Sequence, residues 1–274
     1  MLDDAHKTSP SPTTATRLRV EDLSAGYGAV RVIEGLSLAI PDRGITAIIG
    51  PNGCGKSTLL KAMARVLPAQ RGRVLLDGQA VHAMPTRAVG RTLALLPQGP
   101  VAPEGLRVRE LVAQGRFPHQ SLLRQWSRED AAAVARAMTA TDVDAFADRP
   151  VDALSGGQRQ RVWIAMVLAQ ETPILLLDEP TTFLDLKVQV DLMTMLRQIA
   201  YDDGRTLIVV MHELNVAAAF ADWLVMMRQG EVAAQGPVAE VFTEGNLERV
   251  FDLAARVLTD PESRRLVCVP RVAA

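Results

Sequence analysis

Gly50-Pro51-Asn52-Gly53-Cys54-Gly55-Lys56-Ser57 stands between a buried-strand pattern, Ile45 to Ile49, and a helix-like run from Ser57 to Val66 that stops at Pro68. A G-x-x-x-x-G-K-S stretch in that setting reads as a phosphate loop. Its glycines let successive backbone N–H groups curl around phosphate oxygens. The helix opening through Ser57 and Thr58 adds the positive end of its dipole. Lys56 suits the β- and γ-phosphates, and Ser57 suits a Mg²⁺ ion. Cys54, inside the loop, has two readings: a thiol acidified by the helix start, or a buried and inert one.

Strand and helix patterns alternate on either side of the loop. Arg17 to Leu23 and Val32 to Ile40 read as strands, followed by Val74 to Leu76 before an Asp77-Gly78 turn and Thr92 to Leu96 before Pro97-Gln98. Strand character returns at Ile174 to Leu177, Thr206 to Met211, Leu224 to Met227 and, after a Gln229-Gly230 turn, Val232 to Ala234. Between Ile174 and Thr206, the residues Val188, Leu192, Met195, Leu196 and Ile199 share one helical face. This is an α/β pattern with a largely parallel sheet covered on both faces, preceded by an antiparallel β part. From about residue 100 to 170 the chain is strand-poor and predicts a helical subdomain inserted in the core. Within it, Ser127 and Asp130 form a capping-box-like helix start. Apolar runs on either side of Asp260-Pro261 predict a closing hairpin over about 255–270.

Two further motifs carry chemistry. Ile174-Leu175-Leu176-Leu177-Asp178-Glu179 is a buried strand delivering two carboxylates to its C-terminal edge, where open α/β sheets bind ligands. Asp178 suits Mg²⁺, and Glu179 suits a general base acting on water. Leu154-Ser155-Gly156-Gly157-Gln158 precedes a helix; its small residues and free N–H groups form a second anion site.

The phosphate loop, the LSGGQ run and the acidic strand together resemble the ABC ATPase family over roughly Leu18 to Pro270. The resemblance implies an ABC nucleotide-binding domain over residues 17–274; residues 1–16, which mix Ser, Thr and Pro with charges, read as a disordered tail. It implies ATP and Mg²⁺ as ligands and a head-to-tail homodimer in which Ser155, Gly156, Gly157 and Gln158 face the partner's phosphate loop. It also assigns Tyr27 to adenine stacking, Gln98 to Mg²⁺ and the attacking water, Asp185 to the loop crossing the dimer interface, and His212 to the γ-phosphate. Phe183 departs from the commonest pattern, which has a small residue there. Gly115 to Gln120, Gln125 to Asp130 and Pro180 to Asp185 resemble the ATPases of bacterial iron–siderophore importers, a branch that also serves haem and cobalamin uptake. That branch works with two integral membrane permease subunits, and indirectly with a periplasmic or lipid-anchored binding protein, at the cytoplasmic face of the inner membrane. Its surface for the membrane subunits includes the region of Gly115 to Trp126. Phe117 and Trp126 fit either as anchors there, rimmed by Arg116, His119 and Arg124, or as that subdomain's own core. An exporter motor and a soluble ABC ATPase are the rival readings.

Composition sets bounds on all of this. The 274 residues are 48% hydrophobic and 22% charged with a net charge of −1, a balance that buries a sizeable core and gives no field favouring nucleic acid. The longest strongly apolar run, Val162 to Ala169, is far short of a bilayer span. The first residues lack the apolar stretch of a secretory signal. Two cysteines make no disulfide framework.

Overall fold

The computed structural model describes residues 16–120 and 126–271. The expected N-terminal tail, apart from Thr16, lies outside the described residues, as do Arg124 and Gln125.

A four-stranded antiparallel sheet opens the chain: β1 (Leu18–Tyr27), β2 (Val30–Ile40), β4 (Arg71–Leu76) and the short β5 (Gln79–Ala80), in the order β2-β1-β4-β5. The central sheet has the order β10-β9-β3-β8-β7-β6, built from β3 (Gly44–Ile49), β6 (Leu93–Leu96), β7 (Ile174–Asp178), β8 (Thr206–Val210), β9 (Trp223–Arg228) and β10 (Glu231–Pro237). Its four pairings from β9 to β6 run parallel, and only β10 is antiparallel. Several strands run past their expected bounds, β1 to Tyr27 where Leu23 was the expected end, β4 from Arg71 where Val74 was the expected start and β10 to Pro237 where Ala234 was the expected end, because ladder bonds continue beyond the apolar run.

Both faces of the central sheet are covered, and the alternation of each strand divides its side chains between two cores. Ile45, Ala47, Leu175, Leu177, Leu207 and Val209 point to one face, toward the helices α3 (Val108–Gln114), α4 (Arg128–Ala140), α5 (Gly156–Ala169) and α6 (Leu186–Asp202). Ile48, Leu176, Ile208 and Val210 point to the other, toward the antiparallel sheet and α1 (Lys56–Met63). A fully buried Leu, Ile or Val contributes roughly 1.5–3 kcal/mol, so these central strands anchor the molecule. On α6 the face expected from the sequence is observed: Leu192, Met195, Leu196 and Ile199 are buried, while Val188 is only half-buried.

The described part of residues 100–170 contains helices, 3-10 turns and one isolated β-bridge, Arg107 to Pro150. Ser127 caps α4 through reciprocal bonds with Asp130, as the sequence suggests. α1 ends at Met63, short of the expected Val66. The short α2 (Thr86–Gly90), α7 (Leu214–Phe220), α8 (Val238–Val241) and α9 (Glu244–Phe251) complete the helices. β11 (Ala255–Thr259) and β12 (Leu266–Pro270) form a separate antiparallel pair. Among the described residues, no helix is long and apolar enough to cross a membrane.

Candidate functional site

The carboxyl edge of the central sheet gathers residues far apart in sequence. β3 runs into the glycine-rich loop, Gln98 lies just past β6, β7 carries Asp178 and then Glu179, and His212 lies just past β8. They surround a cleft of about 650 Å³ lined by Asn52, Gly53, Gly55, Lys56, Ser57, Thr58, Gln98, Glu179 and His212. Val32, Thr182 and Phe183 also line it; sequence reading had given none of them a role there.

Two glycines of the loop answer to different constraints. Gly55 has φ +104° where it caps the start of α1, a conformation costly for any side chain. Gly50 lies so close to β9 that a Cβ would sit 2.3 Å from the Met227 carbonyl oxygen. The first glycine of the motif is therefore fixed by packing of the sheet edge, and the last by the turn into the helix.

Lys56 is buried, and its Nζ donates to the carbonyls of Gly50 (2.9 Å) and Pro51 (3.0 Å). The ammonium thus sits across the loop, on weak neutral acceptors that an incoming phosphate can outbid, because bonds between charged groups are about twice as strong. Ser57 Oγ donates to Asp178 Oδ1 at 2.9 Å. Burial pushes the Asp178 carboxyl above the usual range; the Ser57 bond opposes this and the Glu179 charge adds to it.

Glu179 follows its strand with φ +53°, a left-handed turn that swings the carboxylate over the cleft. It is saturated there. Gln98 Nε2 donates to Oε2 at 2.6 Å, Thr182 Oγ1 donates to the same oxygen at 3.1 Å, and His212 Nε2 contacts Oε1. Phe183 also adopts positive φ and is fully exposed at the cleft mouth.

Several expected site residues stand outside this cleft. Tyr27 is half exposed at the end of β1, with Lys61 Nζ 5.9 Å from its ring centroid; Val32, one strand over, forms the nearer apolar wall. Pro51 contributes its carbonyl to Lys56 rather than a wall. Cys54 is buried, and burial raises its thiol pKa despite the opposing charge of Lys56, so the inert reading fits and the activated one does not. Ser155 caps α5 by a reciprocal bond pair with Gln158, and Asp185 caps α6 by accepting from Val188 N at 3.0 Å. Gly157 packs against Val188, where a Cβ would approach Cγ1 to 2.8 Å. The LSGGQ turn and the Asp185 loop therefore form one exposed ledge beside the cleft rather than part of it.

The region of Phe117 and Trp126 is equally definite. Phe117 is 76% exposed and Trp126 50% exposed, so neither belongs to the subdomain core. Arg116, expected at a polar rim, is instead buried in ion pairs with Asp130 and Glu171, and His119 Nε2 contacts the Gln170 carbonyl.

Comparison with known proteins gives a consistent picture. Residues 33–182 match the ABC transporter family. The ferric enterobactin transport ATP-binding protein of Escherichia coli (strain K12) is 47% identical over 257 residues, covering 94% of this chain and 95% of that protein. Among solved structures, an inward-facing metal-chelate type ABC transporter superposes with TM-score 0.81 at 27% identity, covering 94% of this chain and 98% of that one. A dimeric ATP-binding cassette with ADP and Pi bound superposes with TM-score 0.72 at 26% identity, over 81% and 98%.

Proposed function

We infer that this chain, which belongs to the ABC transporter family and hydrolyses ATP, drives import of iron–siderophore complexes through two separate integral membrane subunits. The observation that carries the reading is the 47% identity to a ferric enterobactin ATPase across nearly the whole length of both chains. The cleft described above gives it chemical content.

In this reading the nucleotide's phosphates take the loop amides and draw Lys56 off the Gly50 and Pro51 carbonyls. Ser57, Asp178 and the Gln98 amide offer a hydroxyl, a carboxylate and a carbonyl oxygen, the all-oxygen donor set that suits Mg²⁺. Bound there, Mg²⁺ would neutralise phosphate charge. Asp178, raised by burial, would then be held ionised by its ligand. Gln98 and His212 release Glu179, which turns its freed carboxylate to a water in line with the γ-phosphate. The exposed Ser155–Gln158 turn supplies N–H donors to the cleft of a second copy. That supports a homodimer closing on two ATP molecules, with an exporter motor or a soluble ATPase as weaker alternatives. The membrane subunits hold the chain peripherally at the cytoplasmic face of the inner membrane. The binding protein acts only through them, and no nucleic acid is involved.

Deleting this chain in its own bacterium tests the cargo. Uptake of radioiron bound to a hydroxamate and to a catecholate siderophore, measured separately, is expected to fall to background for at least one. Full uptake of both would remove the iron–siderophore assignment.

The exposed Phe117 and Trp126 support an anchoring surface for the membrane subunits. Phe117→Ala is expected to change the folding stability of the free subunit by no more than ordinary surface substitutions do, about 0.5 kcal/mol, and so to leave its melting temperature nearly unchanged. Basal hydrolysis is also retained, while co-purification with the membrane subunits drops. A destabilised variant that still assembles would overturn the anchor role.

A further inference from the structure

The position of His212 depends on a helix that does not cap itself. β8 ends at Val210, His212 follows, and α7 begins at Leu214. Glu213, at the N-cap position, makes no side-chain cap bond. The first turn is secured from elsewhere. Asn215 Oδ1 accepts from the Cys268 backbone N–H at 2.7 Å, and Asn215 Nδ2 donates to the Cys268 carbonyl at 3.2 Å. One carboxamide thus satisfies both polar groups of one backbone residue, as a neighbouring strand would.

The grip falls on the C-terminal hairpin. Cys268 stands opposite Val257 in the β11–β12 register, and its side chain is buried in the main core. The hairpin is held in turn by α9: Glu244 accepts from Val257 N at 3.2 Å and from Arg271 Nη2 at 3.0 Å. Val216, Ala217 and Ala218 of α7 are buried beside it. A continuous chain of contacts therefore runs from α9, through the hairpin and Asn215, to the turn that presents His212 to Glu179.

We propose that Asn215 is a positioning residue for hydrolysis, and that the C-terminal hairpin is the brace through which it sets the His212 imidazole. The proposal rests on the reading of His212 and Glu179 as catalytic. Apart from the γ-phosphate contact assigned to His212, the phosphate contacts belong to the glycine loop and α1, which the brace does not touch, so its loss acts on turnover far more than on binding. A misplacement of about 1 Å at a catalytic group costs up to a hundredfold.

Two variants approach the grip from its two sides. Asn215→Leu keeps the branched heavy-atom shape of the side chain and removes both bonds. Cys268→Pro removes the N–H that Asn215 accepts from; that N–H is given to Asn215 and not to β11, so the substitution takes no ladder bond from the two-stranded ribbon. Each is expected to lower kcat roughly tenfold or more with KM for MgATP within about twofold, assayed well below its melting temperature. The double variant is no worse than either single one, because both cut the same link. In single-turnover assays on a His212→Ala background, Asn215→Leu is expected to have no further effect. Wild-type kcat in either folded single variant, a rise in KM that accounts for the loss, or an undiminished Asn215→Leu effect in the His212→Ala background overturns the brace. Full activity of His212→Ala alone would instead remove the catalytic reading of the histidine, and the brace with it.

Discussion

Glu179→Gln is expected to bind MgATP with unchanged affinity and to lose steady-state hydrolysis by roughly a hundredfold or more, the upper range for a lost general base. The substitution changes one oxygen to an amide nitrogen and nothing in shape. Gln98 and Thr182 both donate to a single oxygen of residue 179, so the amide oxygen can accept both bonds as before. The resting cleft therefore survives. Basicity does not: an amide cannot take a proton from water. Lys56, Ser57 and the loop amides, which carry the affinity, lie on other elements. A protein that binds ATP and cannot consume it should accumulate in the ATP-bound dimer, visible as a doubled mass in light scattering with MgATP. Two measurements decide: single-turnover hydrolysis and the binding constant for a fluorescent ATP analogue. Hydrolysis near the wild-type rate would refute the assignment. Weakened binding in step with lost hydrolysis would mean that residue 179 holds nucleotide rather than acts on it.

The glycine loop, the acidic strand and the LSGGQ turn were legible because each is a local pattern with one physical solution. A strand, a phosphate-sized loop and a helix start occur within Ile45 to Met63, and no distant contact is needed to read them. The parallel sheet followed from alternation of element types in the same way. What stayed hidden depends on contacts between remote segments or on backbone angles. Val32 reaches the cleft only because the antiparallel sheet folds over α1. The left-handed turns at Glu179 and Phe183 fall on residue types that do not announce positive φ. Gly50 looked like a phosphate contact, yet its missing side chain is required by Met227, some 180 residues away in sequence. The Asn215 grip on Cys268 spans 53 residues and leaves no periodic trace. Arg116 shows the same limit most clearly. A charged residue beside Phe117 and Pro118 reads as solvated, and only the folded chain reveals the acids that surround it.

Arg116→Ala is expected to destabilise the protein by roughly 3–5 kcal/mol, the usual cost of stranding a buried charge. For a domain of this size that is a fall of roughly 6–20 °C in melting temperature. The side chain is 2% exposed, with Nε on Asp130 Oδ1 at 2.9 Å and Nη1 shared between the Ala169 carbonyl (2.8 Å) and Glu171 Oε2 (2.7 Å). Glu171 keeps a second partner, Arg136, at 2.6 Å, so the loss concentrates on Asp130. Burial pushes the Asp130 carboxyl up, but the bonds from Ser127 and Arg116 outweigh it and hold the group below the usual carboxylate range. A depressed folded value means stability that is present above the unfolded value, about 3.9, and lost as pH falls through the folded one. Without Arg116 the Asp130 carboxyl titrates higher, because burial persists with fewer donors. The gap between wild type and variant should therefore be widest near neutral pH and narrow toward about pH 4, where a neutral Asp130 no longer needs a cation. Arg116→Lys should recover only part of the loss, since one ammonium cannot reproduce a fork that reaches a carboxylate, a carbonyl and a second carboxylate at once. Urea unfolding of the three proteins at the two pH values settles the point. A constant gap across pH would mean that Arg116 acts by packing alone, and a loss under about 1 kcal/mol would mean that the pair is exposed in solution.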